Sequence, residues 1–202
     1  YGEAPLLTSR MGVACVKGLQ GNDPKILKTA GCANHFAVHS GPEALRHQFT
    51  AKPTKKDLRE TYLPAFEALV REAKVAGVMS AYNRVYGEPA SGSTFLLQDV
   101  LRNEWGFDGY VVSDCWALAD FKDNHKVTRS NSESAAKALK AGVNLDCGDT
   151  YPNLKQALEE KRVTEAEIDQ ALTQLLKTRF RLGLFDPSTP FDKLGPDVVG
   201  SA

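Results

Sequence analysis

The segment Tyr110-Val111-Val112-Ser113-Asp114-Cys115-Trp116 decides the fold class. It sets a short apolar run directly before an acidic residue. Runs that are apolar on both faces are typical of parallel strands covered by helices. Met79, Val112 and Leu145 lie at the centres of three such runs and follow one another at steps of 33 residues. That step is long enough for a strand, a crossover helix and two loops, so the spacing indicates repeated strand–helix units.

Repeated units of this length predict a parallel sheet with helices outside it. We predict strands at residues 77–81, 110–113 and 143–146. An earlier strand within residues 29–36 has poorer support, because its β propensity is low. Helices are predicted at residues 94–103 and from an N-cap at Ser132 to a C-terminal Gly142.

Helix-start signals occur on both sides of this region. Thr54 with Asp57 resembles a capping box, and Pro64 is expected to kink or restart the helix that follows. Thr164 with Glu167 is a better capping box. The helix it opens carries an apolar stripe that stops before Gly183: Ile168, Leu172, Leu175, Leu176 and Phe180.

The sequence predicts about four strands. A closed (β/α)8 barrel has eight and typically contains about 250 residues. We therefore predict an α/β fold that is a partial TIM-type barrel, incomplete on its N-terminal side. Residues 1–186 would form this domain, and the Pro- and Gly-rich residues 187–202 a linker or tail towards a second domain. Open sheet edges predict a chain that is marginally stable alone or that associates, for example as a homo-oligomer pairing its edges.

The composition excludes several partners. Lys and Arg together number 25, as do Asp and Glu, so no net charge attracts nucleic acid or an anionic membrane. No apolar run approaches the roughly 20 residues of a membrane helix. The start, Tyr1–Pro5, is loop-like and lacks the design of a signal peptide.

The chain has four cysteines, at positions 15, 32, 115 and 147. None forms a C-x-x-C pair, which argues against a zinc ribbon. We predict buried free thiols in preference to disulfides or metal ligands.

Polar residues cluster where the predicted strands end. Ligands of parallel βα folds meet the carboxyl ends of the strands, and those ends carry His35, Tyr82, Asp114 and Asp146. An acid directly after an apolar strand is costly unless it is paired or functional. For Asp146 we favour a role in anchoring its loop, whereas for Asp114 the pattern leaves anchoring and function equally open.

His35, His39 and His47 fall within thirteen residues, next to Arg46. Their spacing is not H-E-x-x-H and no nearby pair of acids completes a metal shell, so we predict loop histidines or sugar contacts, with no metal and no cofactor. Trp105 is predicted to pack in the core. Trp116 follows Asp114 on the same side of the sheet and offers a flat apolar wall to a sugar ring.

Five ordered motifs resemble glycoside hydrolase family 3. Residues 34–43 resemble its Lys-His-Phe signature, residues 79–83 its tyrosine strand and residues 106–114 its nucleophile strand. Residues 141–146 and 181–186 match as well. The resemblance covers nearly the whole chain and is closest to bacterial β-glucosidases and β-xylosidases, many of which are periplasmic or secreted.

The resemblance implies a retaining, exo-acting hydrolase of a β-linked oligosaccharide or glycoside, β-glucosidase-like with a β-xyloside as the alternative substrate. In this chemistry one carboxylate attacks the anomeric carbon and a second carboxylic acid protonates the leaving oxygen. Asp114 falls on the nucleophile. His35 falls on a residue that binds sugar hydroxyls, Tyr82 and Met79 on residues of the same subsite, and Arg46 is a less specific match.

Three positions depart from the family pattern. Asn34 replaces a lysine that donates to sugar hydroxyls, which should weaken sugar binding. Ala4 replaces an acid in a Gly-Glu-Asp-Pro motif, and Ser91 stands where relatives often have cysteine. None of the remaining acids matches the family's acid/base residue. The alternative to an impaired enzyme is therefore a degenerate sugar-binding remnant, or a half-barrel that requires partner chains.

Overall fold

The computed structural model describes residues 1–200, an arrangement of helices around a short parallel sheet. The α-helices are α1 (Pro5–Gln20), α2 (Lys55–Asp57), α3 (Pro64–Arg71), α4 (Asp120–Asp123), α5 (Asn131–Ala141), α6 (Leu154–Glu159) and α7 (Glu165–Arg181). The strands are β1 (Cys32–Phe36), β2 (Thr50–Ala51), β3 (Gly77–Ser80), β4 (Arg84–Val85), β5 (Glu88–Pro89) and β6 (Tyr110–Ser113). Two further helical segments, Leu58–Tyr62 and Phe95–Glu104, are π-helical.

The central sheet has the order β1-β3-β6, and both of its pairings are parallel. Met79 lies opposite Val112, so the step of 33 residues does mark equivalent strand positions. The predicted parallel strands near residues 77 and 110 are confirmed, as is the less certain β1. A small second sheet, β2-β4-β5, was not predicted, because two-residue strands carry no periodic pattern.

The predicted strand at residues 143–146 is wrong as a full strand. Only Leu145 forms a bridge, parallel to Val112. Beside it the side chain of Asn144 takes over part of the ladder: its Oδ1 accepts from the backbone N–H of Val111 at 2.8 Å, while Asn144 and Leu145 both donate to the Val111 carbonyl. A side-chain amide thus replaces one backbone partner, and the segment docks in parallel without becoming a regular strand.

The main core lies between the sheet and the helices. Alternate residues of β3 and β6 that face the helices, such as Val78 and Val111, are fully buried. The largest fully buried side chains are Phe36, Leu63, Leu96, Leu97, Leu101, Leu118 and Phe121. Trp105 packs in the same cluster, edge-on to Phe36, as predicted.

Helix boundaries follow the capping residues with one correction. α5 starts two residues earlier than predicted: Ser130, and not Ser132, is its N-cap, and its side chain accepts from the Glu133 amide at 3.2 Å. Its predicted end at Gly142, which has φ 111°, is confirmed. Pro64 does begin a new helix, α3.

The capping box of Thr164 and Glu167 at the start of α7 is also confirmed. The apolar stripe of this helix is only partly covered, since Leu172 and Phe180 are exposed. Within residues 1–200, no helix is long and apolar enough to cross a membrane.

Candidate active site

The carboxyl ends of β1, β3 and β6 bring three of the predicted residues together. His35 lies in β1, Tyr82 follows β3, and Asp114 follows β6 directly. The Nε2 atom of His35 lies 3.3 Å from Oδ2 of Asp114. The Tyr82 hydroxyl donates to the Cys115 carbonyl at 2.6 Å, one residue beyond Asp114. Parallel strands point the same way, so residues far apart in sequence converge at one mouth.

Asp114 is held through its backbone and through one of its two carboxylate oxygens. Its amide donates to the Ser80 carbonyl at 3.1 Å, and its Oδ1 accepts from the Cys115 amide at 2.9 Å. The residue is 7% exposed, and its buried Oδ2 has no hydrogen-bond partner among residues 1–200. A fixed carboxylate with one unpaired buried oxygen is an unusual arrangement, because leaving such an oxygen unpaired costs free energy.

His35 is adjacent to that oxygen and tends to remain neutral. Burial lowers the pKa of its imidazole, and the nearby His39 and Arg46 lower it further, while the Asp114 charge acts in the opposite direction. Asn34 lies beside it, with its Nδ2 3.3 Å from the His35 Nε2. The Asn34 amide therefore contacts the ring nitrogen of His35 that faces Asp114.

Tyr82 is a buried phenol that stays protonated. Burial raises its pKa, and the negative charge of Asp114 raises it further. The guanidinium of Arg46 lies 5.6 Å from the centre of its ring. Arg46 also pairs with Glu43 at 2.8 Å, so its charge is shared between the ring and a carboxylate.

Met79 and Trp116 are two further predicted site residues, which belong to β3 and to the turn after β6. Met79 is partly buried and pairs in register with Val112, which places it on the face from which Asp114 projects two residues later. Trp116 is 58% exposed and has a left-handed backbone, with φ 69°. Its amide donates to the Cys147 carbonyl at 2.6 Å, which fixes this conformation.

The prediction of buried free thiols is wrong for Cys115 and Cys147, which are bonded to each other, whereas Cys15 and Cys32 are free as predicted but are not buried. Cys115 and Cys147 form a disulfide with a Cα–Cα distance of 4.3 Å, and the free Cys15 and Cys32 are exposed residues. Both bonded cysteines follow the ends of neighbouring strand segments, 32 residues apart. That near-match to the strand repeat of 33 was the signal that the sequence offered, since equivalent positions on adjacent strands lie within disulfide reach.

The loop-anchoring interpretation of Asp146 is confirmed. Its Oδ2 accepts from the amides of Thr150 and Tyr151 at 2.8 and 3.0 Å, and its Oδ1 accepts from the Ser113 hydroxyl at 3.2 Å. Its carboxylate is thus fully engaged, unlike that of Asp114.

His47, which we could assign only to a group of loop histidines, has a specific partner. Its Nδ1 lies 2.7 Å from Oδ2 of Asp120, a residue 73 positions away that sequence reasoning missed. No cluster of three or more histidine, cysteine or acidic side chains within residues 1–200 is arranged to hold a metal ion.

Comparison with known proteins gives consistent relatives. Residues 1–178 match the family described as glycosyl hydrolase family 3 N-terminal domain. A xylan 1,4-β-xylosidase from Xylanibacter ruminicola is 49% identical over 195 residues, covering 93% of this chain and 22% of the relative. A probable β-D-xylosidase from Arabidopsis thaliana is 36% identical, covering 99% and 28%. The chain therefore spans about a quarter of the length of the curated relatives it matches.

Solved structures confirm the fold. A family 3 exo-β-xylosidase in complex with a xylobiose aziridine probe superposes with a TM-score of 0.90 at 32% identity, covering 94% of this chain and 26% of that one. A β-glucosidase from Listeria innocua in complex with isofagomine gives 0.84 at 35% identity, covering 96% and 28%. The predicted partial TIM-type barrel is confirmed, and the chain belongs to glycosyl hydrolase family 3, within its N-terminal domain.

Proposed function

We propose that this chain is the nucleophile-bearing part of a retaining, exo-acting β-glycosidase, with Asp114 as the nucleophile. The observation that carries the proposal is the buried Oδ2 of Asp114, which lies 3.3 Å from the Nε2 atom of His35 and has no hydrogen-bond partner within residues 1–200. A carboxylate nucleophile needs one oxygen available to attack, and a donor on the other oxygen helps to fix its direction. The Cys115 amide on Oδ1 meets the second requirement.

In this mechanism Oδ2 of Asp114 attacks the anomeric carbon and forms a glycosyl ester while the bond to the leaving oxygen breaks. A second carboxylic acid gives its proton to that oxygen, and water then hydrolyses the ester. Asp120 and Asp146 are unsuited to the acid role, because both already accept hydrogen bonds within the fold. None of the other acids in this chain matches the acid/base residue of the family pattern, so no residue is assigned to this step.

The remaining residues would bind the sugar. His35 and the Tyr82 hydroxyl flank the nucleophile and suit hydroxyl groups of the ring, with Asn34, Arg46 and Met79 around them. The exposed ring of Trp116 suits the apolar face of the sugar.

A β-D-xyloside is the favoured substrate, because the curated relatives reported above are β-xylosidases. A β-glucoside is the second candidate, favoured by the fold match to a β-glucosidase.

The test is covalent trapping. A 2-fluoro β-xyloside with a dinitrophenolate leaving group needs little acid assistance and should leave a stable ester on the nucleophile. We expect intact-mass spectrometry to show one added glycosyl group, mapped to the peptide containing Asp114. Asp114→Asn should take up none, while Asp123→Asn, an exposed acid close in sequence, should react like the parent chain.

A turnover substrate, used beside the trapping reagent, separates the enzyme from the alternative, a degenerate sugar-binding remnant. Turnover of nitrophenyl xyloside at high protein concentration should be weak, because general acid catalysis commonly contributes about 10²–10⁴-fold. Asn34→Lys should increase it by adding a charged donor. Ester formation at another residue, or none at any concentration, would contradict the assignment of Asp114.

A further inference from the structure

A second group of polar residues contacts the ring of Tyr82. The ring of His47 meets the Tyr82 ring edge-on, with 4.6 Å between centroids and 65° between planes. On its other side, Nδ1 of His47 lies 2.7 Å from Oδ2 of Asp120. The Nδ2 of Asn124 donates to the second oxygen of Asp120 at 2.5 Å. These contacts form a continuous series from α4 to the tyrosine of the site.

Burial makes this series rigid at one end and open at the other. The side chain of Asp120 is 8% exposed, and its backbone carbonyl accepts from the amides of both Asn124 and His125. The side chain of His47 is 46% exposed. A buried carboxylate with both oxygens engaged is a fixed acceptor, so the half-exposed imidazole bonded to it has one defined orientation.

We propose that His47 and Asp120 are a positioning pair that fixes the ring of Tyr82 in the sugar subsite. The inference rests on the proposed function in one respect, that Tyr82 lines that subsite. Asp120 also defines the proton position on His47: a carboxylate only accepts, so Nδ1 carries the hydrogen.

The geometry of Tyr82 explains why such a pair is needed. The hydroxyl is held by the Cys115 carbonyl, next to the nucleophile. One bond at the tip leaves the ring free to tilt about it. The ring itself contacts the edge of His47 and the guanidinium of Arg46. Without His47 the tip remains attached but the ring tilts, and with it the wall against which a sugar would lie.

The direct test observes Tyr82 itself and needs no catalysis. The chain is labelled with 3-fluorotyrosine, and the ¹⁹F signal of Tyr82 is assigned by its loss in Tyr82→Phe. We expect a single signal in the parent chain, and a shifted or divided signal in His47→Ala and in Asp120→Asn. The matched control is Asp123→Asn, on the same helix but exposed and paired with Lys122; it should leave the signal unchanged.

A second measurement keeps the outcome decisive if Asp120→Asn fails to fold. Histidine ¹⁵N shifts in the parent chain should show the Nδ1-protonated form for His47, and His47→Phe should keep the Tyr82 signal nearer the parent than His47→Ala does, since it restores an aromatic edge. In the xyloside assay, His47→Ala should lower kcat/KM on the order of 10- to 100-fold, as expected for a misplaced subsite wall.

An unchanged Tyr82 signal in His47→Ala would overturn the proposal, whatever the activity. If the parent chain neither forms the glycosyl ester nor turns over substrate while the Tyr82 signal responds as expected, the positioning pair stands and the proposed function fails.

Discussion

Removal of the disulfide between Cys115 and Cys147 should destabilise the chain strongly. The perturbation is the double substitution Cys115→Ser with Cys147→Ser, which changes little in volume. The bond joins residues 32 apart in sequence. In the chain-entropy description, closing a loop of that length lowers the conformational entropy of the unfolded state. This raises the free energy of unfolding by about 4 kcal/mol. The free energy of unfolding of an ordinary domain is only about 5–15 kcal/mol, so losing the disulfide would remove a large fraction of it.

The assay is urea unfolding followed by far-UV circular dichroism, together with a thiol count in denaturant. We expect two reactive thiols in the parent chain, from Cys15 and Cys32, and a midpoint that falls substantially in the double variant. Cys15→Ser is the matched control, because it removes an exposed free thiol and should leave the midpoint within error. Four reactive thiols in the parent, or equal midpoints for parent and double variant, would refute the reasoning.

Further outcomes follow from other parts of the structure. Burial lowers the pKa of His125 from 6.5 to about 4. Between these pH values the unfolded chain therefore binds more protons than the folded chain. The free energy of unfolding should be highest above pH 6.5 and fall by about 3 kcal/mol towards pH 4. His125→Gln should flatten this slope in urea titrations at several pH values, and an unaltered slope would exclude His125 as its source. Gly109→Ala should lower the melting temperature, because the added methyl group would overlap the Ala76 carbonyl oxygen; an unchanged value would mean that the strand shifts freely. Sedimentation at several concentrations should show association, as open sheet edges predict, and a stable monomer down to micromolar concentration would contradict that expectation.

The parallel strands were predictable because burial on both faces leaves a mark in sequence. Val78 and Val111 are fully buried, and the strands that carry them read as apolar runs at a constant spacing. The segment at Leu145 has the same spacing, but the side chain of Asn144 occupies a backbone position in the ladder. The sequence pattern does not reveal whether a backbone amide will donate to a backbone carbonyl or to a side-chain oxygen. Helix α1 escaped prediction as well, since its apolar residues are divided between a buried face and exposed Leu6, Leu7 and Met11.

The candidate site was predictable where its residues lie at or just beyond the carboxyl ends of strands. Asp114, His35 and Tyr82 converge because parallel strands share one end. The pairing of His47 with Asp120 was not predictable, since it joins a turn to the first residue of the short helix α4, 73 residues away, without a common period. The disulfide has a different kind of signal: the 32-residue separation of its cysteines matches no metal motif and is informative only beside the strand repeat of 33 residues.

The left-handed backbone of Trp116 has a consequence for protein engineering. A tryptophan with φ 69° carries a conformational cost of about 1–3 kcal/mol that glycine at the same position would largely avoid. Variants selected for thermal stability alone should therefore drift towards glycine or asparagine at position 116. Variants selected for growth on a glycoside should keep an aromatic ring if the exposed indole contacts the sugar. The outcome of the two selections at this one position would separate the demands of the fold from the demands of the ligand.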